Sequence, residues 1–313
     1  MGIGPVNKPL DSRSFHISVS YVLLRRRSNE AAIQANRKLG QVEAPVYASN
    51  HFEIFHPWEQ SRLLQQAVRL AQPGSIVLDV GMGTGNVLGK FPSTTVRVGI
   101  DLSEEMLRVA RKSSEGMHLV QAEAGALPFS NGVFHVVYTY STLHHVGDGP
   151  AAVLEMARVV RPGGILVLDH EWAFQEDGWR APVYRALRAS LRAAAAAWYW
   201  RRPSARAYLS YRRVHWPYSA TFRDVDLELA EGGELLPALA EAILTRAGLQ
   251  SRRWHYLLEP LPMMSVWQAA ADQICRTFRL GHFFIQAYRP RCPPSPPGRT
   301  HTAGRAKSRI SVR

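Results

Sequence analysis

Apolar and polar residues alternate through the middle of the chain in a pattern that predicts strands separated by helices. Short β-branched and apolar runs predict seven strands, at residues 76–80, 95–100, 118–121, 133–139, 165–169, 250–256 and 282–288. Helical spacing predicts helices over residues 58–71, 151–160 and 235–247, and Ser103 with Glu104 and Glu105 has the form of a helix start. This order predicts right-handed βαβ units, and therefore an α/β fold with a doubly wound, mostly parallel seven-stranded sheet.

The regions outside this pattern are less regular. Residues 1–50 are interpreted as an N-terminal extension, with a strand at 15–24 and a short polar helix at 29–39. The remaining predicted regions are a ligand-binding core at 51–170, a helical insertion after strand five at 171–232, the C-terminal part of the sheet at 233–290, and a disordered basic tail at 291–313.

A glycine-rich turn follows the first predicted strand. Gly81, Gly83 and Gly85 stand at alternate positions, and Asp79 lies two residues before the turn. Glycine permits a sharp turn and lets a ligand lie against the backbone. Apolar residues resume at Val87, where we expect a helix to begin with its free N–H groups toward the ligand. The order of strand, glycine turn and helix predicts a small-molecule cradle.

Two carboxylates indicate which ligand the cradle holds. The third glycine comes one residue too early for the dinucleotide fingerprint, although on the loop alone nicotinamide binding remains a rival interpretation. Asp101 ends the second strand, where it can accept hydrogen bonds from both hydroxyls of a ribose. Glu123 follows the third strand, where it can accept one from an adenine amine. Together these two residues move the balance away from nicotinamide.

The motifs in this region resemble those of one family, the class I S-adenosylmethionine-dependent methyltransferases, and are similar to its ubiquinone/menaquinone-type (methyltransferase type 11) group. They are VLDVGxGxG at 77–85, GIDLSxxML at 99–107, AEAGALPF at 122–129, FHVV at 134–137, LHH at 143–145 and ExxRVVRPGG at 155–164. The match covers roughly residues 47–170 in order and at family spacing. Glu123 and His135 stand where the family often has Asp.

The resemblance implies a Rossmann-like methyltransferase fold with S-adenosylmethionine as cofactor. The glycine loop would hold the methionine part, Leu102 and Met106 would flank the adenine, and Thr139 and Tyr140 would line the sulfonium end. The implied cofactor residues are Asp79, Gly81, Gly83, Gly85, Asp101, Leu102, Met106, Glu123, Ala124, Thr139 and Tyr140. More ordinary readings are also open: helix entry for Asp101, a solvated loop carboxylate for Glu123, and packing for Tyr140.

Histidines supply the candidate catalytic groups. His144 and His145 follow the fourth strand, near where the methyl group would emerge, and either could act as general base on a hydroxyl nucleophile. The alternative is a capping or packing role. His170 and Glu171, at the tip of strand five, are a second acid–base candidate.

The net charge of +13 is concentrated outside the core. Residues 171–223 hold ten basic and three acidic residues together with many Trp and Tyr, and residues 182–202 have the pattern of a helix with an arginine-rich face. Three interpretations fit this insertion: a helical lid over the substrate pocket, a basic surface lying on an anionic membrane, or a surface for stacking and phosphate contact with RNA.

Composition limits the compartment and the metal chemistry. Two cysteines, Cys275 and Cys292, make neither a disulfide framework nor a zinc site. No run approaches the roughly 18 apolar residues needed to span a membrane, and the N-terminus lacks the pattern of a signal peptide, so we expect a cytoplasmic protein. His51 and His56 flank the entrance without a fixed carboxylate or cysteine partner, and no metal site is predicted.

The sequence therefore predicts a methyltransferase acting on a small, apolar or aromatic acceptor, with O- or C-methylation favoured. RNA methylation and cofactor binding without catalysis remain alternatives. The adenine-N6 signature is absent, since Thr139-Tyr140-Ser141-Thr142 stands after strand four, so nucleic acid is a disfavoured partner. The oligomeric state is not indicated.

Overall fold

The described residues include seven strands that form one sheet. The strands are β1 (Ile76–Val80), β2 (Val96–Asp101), β3 (Met117–Gln121), β4 (Phe134–Tyr140), β5 (Val160–Trp172), β6 (Gln250–Tyr256) and β7 (His282–Tyr288). Their order across the sheet is β3-β2-β1-β4-β5-β7-β6, and β7 is antiparallel to both of its neighbours. The other pairs are parallel. The predicted doubly wound, mostly parallel seven-stranded sheet is confirmed.

Helices cover the sheet on both faces. This computed structural model describes residues 30, 33–51, 54–55, 57–112, 115–172, 182, 186, 190, 237–256, 273–277 and 282–291. Its helices are α1 (Tyr47–Asn50), α2 (Pro57–Leu70), α3 (Glu104–Arg111), α4 (Gly149–Val159) and α5 (Pro237–Arg246), and residues 33–43 and 273–277 are also helical.

The strand sequences are apolar without alternation because both faces of the sheet are buried. Leu78 of β1 belongs to an apolar cluster with Met156 of α4, whereas its neighbour Val77 belongs to a second cluster with Leu63 of α2. Successive side chains of a strand point to opposite faces, so the two clusters are the two layers of core. Because both faces of the sheet are covered, the carboxyl ends of the strands are where a ligand can bind.

The prediction that a helix begins at Val87 is wrong. The glycine loop leads only into a 3-10 turn at Leu88–Lys90, and Phe91 is already extended, with ψ 139°. Pro92 follows, and a proline disfavours helical backbone at the preceding residue. The N–H of Leu88 donates to Oδ2 of Asp79 at 3.1 Å, so it is held by β1 rather than turned toward a ligand.

β5 extends well beyond the predicted residues 165–169. Its pairing with β7 shifts register between Leu168 and Glu171. His170, inside this shift, has a φ of +61°, a left-handed conformation that few non-glycine residues adopt. Such strain persists only where the surroundings fix it, and it points to a functional edge of the sheet.

Several predictions lie outside the described residues. These are the strand at 15–24, most of the helix at 182–202, most of the insertion at 171–232, His56, and the tail from residue 292 onward. The proposed domain boundaries stay predictions. None of the helices that the structure describes combines the length and apolar composition needed to cross a membrane.

Candidate active site

The carboxyl ends of β1, β2, β4 and β5 enclose a cavity of about 340 Å³, which residues 33–43 also line. A smaller cavity of about 40 Å³ shares Tyr47, Ile54, Gly81, Gly83 and Ser141 with it. The sequence-predicted residues that line the larger cavity are His51, Gly81, Gly83, Asp101, Leu102, Met106, Glu123, Ala124, His144, His145 and His170. Asp79 and Tyr140 line the smaller one, whereas Gly85 and Thr139 line neither of the two.

Thr139 is held in the sheet rather than at the cavity wall. Its side chain is fully buried, and Oγ1 donates to the backbone oxygen of Val80 at 2.9 Å. Tyr140, the next residue, donates its hydroxyl to Glu59 of α2 at 2.8 Å. Residues at the end of β4 alternate between the two faces, so only one of this pair reaches a cavity.

Gly81 and Gly83 serve different purposes in the loop. Both have left-handed backbone, with φ of +70° and +53°. A Cβ on Gly81 would lie 2.2 Å from Cγ2 of Thr142, so this position allows the segment after β4 to pack against the loop. A Cβ on Gly83 would meet no atom within 4 Å, because it would project into open space. Gly83 is therefore the glycine that keeps the cavity open.

Asp101 ties the glycine loop to the start of α3. Its Oδ2 accepts the N–H of Gly83 at 2.8 Å, and its Oδ1 accepts the N–H of Ser103 at 2.8 Å. Burial raises the pKa of this carboxyl, and the backbone N–H groups oppose that shift. Ser103 in turn caps α3 by accepting the N–H of Met106. The carboxylate, the glycine loop and the adjacent side chain of Met106 thus form one wall.

Asp79 is a buried carboxyl with one oxygen unsatisfied. Oδ2 accepts from Leu88, while Oδ1 has no hydrogen-bond partner among the described residues. Burial raises its pKa to about 7, and the nearby Asp101 adds to this shift. Nδ2 of Asn86 also lacks a partner among these residues, and both side chains line the smaller cavity. A buried acceptor and a buried donor left unpaired at a cavity indicate a polar ligand there.

The side chain of Glu171 pairs with His144 and not with its neighbour His170. The Glu171 carboxylate accepts Nδ1–H of His144 at 2.7 Å, together with the backbone N–H groups of Thr142 and Leu143 at 2.8 Å and that of His144 at 3.2 Å. Glu171 and His170, predicted together as an acid–base candidate, therefore contact different groups, since His170 lies beside Tyr256. The reason is local: the shift in β5 sends these neighbours to different surroundings, and Glu171 caps the 3-10 turn Leu143–His145.

His145 packs against its neighbour at the same wall. Its ring lies 4.1 Å from that of His144, between centroids. Burial, and then the proximity of His144 and His51, lower the pKa of His145 well below its usual range. Its backbone oxygen accepts a hydrogen bond from Nδ2 of Asn36 at 2.5 Å, which anchors residues 33–43 over the cavity.

Sequence reasoning missed the contribution of the N-terminal segment. A Cβ on Gly40 would lie 2.2 Å from Oγ of Ser103, so the helix of residues 33–43 packs directly on the start of α3. Tyr47 and His51 add a tilted pair of rings, with centroids 4.4 Å and planes 38° apart. The signal was the short helical pattern at 29–39, but nothing in it shows which surface the helix contacts.

Comparison with known proteins finds a family match in the middle of the chain. Residues 78–168 match the family model described as a methyltransferase domain. The chain is 35% identical over 127 residues to the ubiquinone/menaquinone biosynthesis C-methyltransferase of Shewanella piezotolerans, covering 37% of this chain and 49% of that protein. It is 40% identical over 111 residues to an uncharacterized 37.1 kDa protein of a Streptomyces fradiae transposon, covering 33% of this chain and 32% of that protein. The chain thus spans a third to a half of the length of these relatives.

Two solved structures share the fold. One is a chain of the Haloferax volcanii complex between the Trm112 methyltransferase activator and a methyltransferase, with a TM-score of 0.52 and 15% identity over 80% of this chain and 97% of that one. The other is the cyclase SpnF, with a TM-score of 0.50 and 16% identity over 82% of this chain and 96% of that one. At these identities the likeness shows the fold alone.

Fold, motifs and family match together define residues 78–168 as a methyltransferase domain of the class I, S-adenosylmethionine-dependent type. The resemblance to the ubiquinone/menaquinone-type group is confirmed for this part of the chain. S-adenosylmethionine as the cofactor of this domain is confirmed with it.

Proposed function

We propose that the protein transfers a methyl group from S-adenosylmethionine to a small hydroxylated acceptor that is apolar or aromatic. The observation that carries this proposal is the convergence of Asp79, Gly83 and Asp101 on adjoining cavities at the carboxyl ends of β1 and β2. In this assignment Asp101 holds the ribose. The unpaired Oδ1 of Asp79 and Nδ2 of Asn86 meet the charged ammonium and carboxylate of the methionine part.

The adenine end lies between α3 and the segment after β3. Leu102, Met106, Glu123 and Ala124 all line the cavity. We assign the two apolar side chains to the faces of the adenine ring, and the Glu123 carboxylate with the Ala124 backbone to its amine. These four residues fit the adenine, because the two apolar side chains can cover the faces of the ring and the carboxylate can accept a hydrogen bond from its amine.

The rest of the larger cavity is assigned to the acceptor. Ile33, Leu39, Ile54 and Val146 give it an apolar lining, which favours an apolar or aromatic molecule. Methyl transfer is an in-line displacement: a bond forms from the nucleophile to the methyl carbon while the carbon–sulfur bond breaks. The protein mainly aligns the partners and excludes water. His144, oriented by Glu171, is the candidate for the proton released by a hydroxyl nucleophile.

C-methylation has one further support. The relatives from Shewanella and Vibrio are named as C-methyltransferases of ubiquinone/menaquinone biosynthesis. Because they are matched over only part of their length, the acceptor and the methylated atom are proposals for this chain. Location in the cytoplasm and contact of the insertion with an anionic membrane likewise stay predictions; equal liposome flotation with and without residues 171–223 would remove the membrane contact.

Calorimetry of the full chain tests the cofactor site. S-adenosylmethionine should bind, NAD should not, and Asp101→Ala and Gly83→Val should each abolish binding while the thermal transition remains cooperative. Equal affinity in the two variants would overturn the site assignment.

A second experiment tests turnover and locates the methylated atom. The protein is incubated with methyl-labelled cofactor and an extract of the source organism, and the labelled product is identified by mass spectrometry. A carbon-bound label supports C-methylation and an oxygen-bound label O-methylation. Cofactor binding with no labelled product would favour the non-catalytic alternative.

A further inference from the structure

His170 is clamped between two aromatic rings at the end of β5. Its ring stacks on Tyr140, with centroids 4.8 Å apart and planes 11° apart, and on His282, at 4.1 Å and 9°. Both faces of the imidazole are therefore covered, and the ring plane is fixed. His170 is only 4% exposed and still lines the larger cavity, so it is an edge of the ring that reaches the cavity.

The hydrogen bonds behind the ring decide where its proton lies. Nδ1 of His170 is 3.3 Å from the hydroxyl oxygen of Tyr256. That hydroxyl donates its single hydrogen to Oδ1 of Asp169 at 2.9 Å, and a carboxylate can only accept it. Nη2 of Arg62 lies 2.9 Å from Oδ2 of Asp169 and forms an ion pair with it, and the hydroxyl of Tyr138 donates to the same oxygen.

The Tyr256 oxygen must then accept from His170, so Nδ1 carries the proton and Nε2 keeps its lone pair. Burial lowers the pKa of His170 well below its usual range, and the neighbouring His282 and Arg62 add to this effect. The ring is therefore neutral near pH 7. A neutral imidazole with Nδ1 engaged offers a hydrogen-bond acceptor at its other nitrogen, and cannot act there as a donor.

We propose that Nε2 of His170 accepts a hydrogen bond from a hydroxyl of the acceptor molecule, so that the cavity selects phenol- or enol-type acceptors over their ethers. Tyr256 and Asp169 are positioning residues that set the tautomer of His170. This inference rests on the proposed function, because it names the chemical group that the methyl acceptor must carry. It assigns to His170 a role in specificity, distinct from the proton-accepting role proposed for His144.

Nuclear magnetic resonance of the full chain with ¹⁵N-labelled histidine tests the tautomer directly. S-adenosylhomocysteine is added first, and phenol or its methyl ether, anisole, is then titrated in. We expect one histidine, identified by its loss in His170→Phe, to stay neutral with the proton on Nδ1 through neutral pH. Phenol should shift its Nε2 resonance, and anisole should not. In Tyr256→Phe the single tautomer should be lost.

Affinities complete the test. His170→Phe keeps a flat ring for the stack and should lose about tenfold in phenol affinity, the effect of one hydrogen bond, with anisole unaffected. His170→Asn, which tolerates the left-handed backbone, serves if the Phe variant folds poorly. His282→Phe is the matched control: it alters the same stack outside the larger cavity and should keep the preference for phenol.

The outcomes separate the two proposals. If the wild-type protein does not bind S-adenosylhomocysteine, the proposed function fails whatever His170 does. If it binds, the inference about His170 is overturned by a protonated ring at neutral pH, by equal or absent shifts with phenol and anisole, or by a phenol preference that survives in His170→Phe or His170→Asn.

Discussion

Glu171 at the end of β5 accepts the Nδ1 hydrogen of His144 at 2.7 Å, and the same carboxylate caps the turn on which that histidine stands. One buried side chain thus sets both the tautomer of the ring and the path of the backbone after β4. This arrangement gives the acceptor side of the cavity a fixed wall.

Glu171→Gln should therefore destabilise the protein. The amide would turn its NH₂ group toward backbone donors that now share a carboxylate, leaving buried groups unpaired at a cost of about 2 kcal/mol or more. Urea denaturation measures this loss. Glu104→Gln, at a side chain that is 59% exposed, is the matched control and should change the free energy of unfolding by less than about 0.5 kcal/mol. Similar effects in the two variants would contradict the capping role of Glu171.

Alanine substitutions at three left-handed glycines should separate folding from binding. Gly81→Ala forces a Cβ against Thr142 and should unfold the protein most easily. Gly83→Ala carries the backbone strain alone, about 1–2 kcal/mol, but fills cofactor space and should lose cofactor affinity. Gly74→Ala has similar strain, with φ +78° and open surroundings away from both cavities, and should keep that affinity. Equal cofactor affinity in the Gly83 and Gly74 variants, measured by calorimetry, would argue against Gly83 as a binding position.

Asp79 should make stability depend on pH. Its pKa rises from 3.8 to about 7 on folding because the carboxyl is buried. Between these values the folded protein holds a proton that the unfolded chain has released. The contribution to the free energy of unfolding is therefore complete below about pH 4 and is lost as the pH rises through about 7, by at most about 4 kcal/mol.

Asp79→Asn removes this contribution, since an amide does not titrate. Urea denaturation at about pH 5 and about pH 8 should show a smaller difference between the two conditions in the variant than in the wild type. Parallel pH profiles would mean that Asp79 is already ionised in the folded protein.

The contact between Gly40 and Ser103 predicts a coupling between two segments far apart in sequence. Gly40→Ala should weaken the docking of residues 33–43, because its Cβ would overlap Oγ and Cβ of Ser103. Ser103→Gly removes both atoms and, at a helix cap, costs only a few tenths of a kcal/mol. The double variant should therefore recover much of the loss, as a double-mutant cycle on unfolding free energy or cofactor affinity would reveal. Additive effects would show that the two residues do not touch.

The sheet and the cofactor edge were predictable because local sequence determines them. Buried strands give unbroken apolar runs, and a ligand loop at their ends needs glycine, so Ile76–Val80 and the residues that follow it are legible without a structure. Asp101 was predictable for the same reason, since it ends a strand next to that loop. The helix expected at Val87 failed because Pro92 and the Leu88–Asp79 hydrogen bond act against it, and the second of these depends on the three-dimensional fold.

The acceptor side was less predictable because its contacts join distant residues. Pairing Glu171 with His144 requires the register shift in β5, and no local pattern announces that shift. Gly40 and Ser103 are in contact although 63 residues of sequence separate them. The sequence of a short polar helix does not indicate which surface the helix will cover. In both cases the contact is determined by the three-dimensional fold and not by residues that are adjacent in sequence.

The carboxylate of Asp169 also joins three elements of the fold. It receives hydrogen bonds from α2, β4 and β6 through Arg62, Tyr138 and Tyr256. Separating these elements would strand a buried charge, at a cost of several kcal/mol. The helix of residues 33–43 also lines the cavity, where the Asn36 hydrogen bond and the Gly40 contact hold it. We therefore expect donor and product to exchange past that helix rather than between α2, β4 and β6.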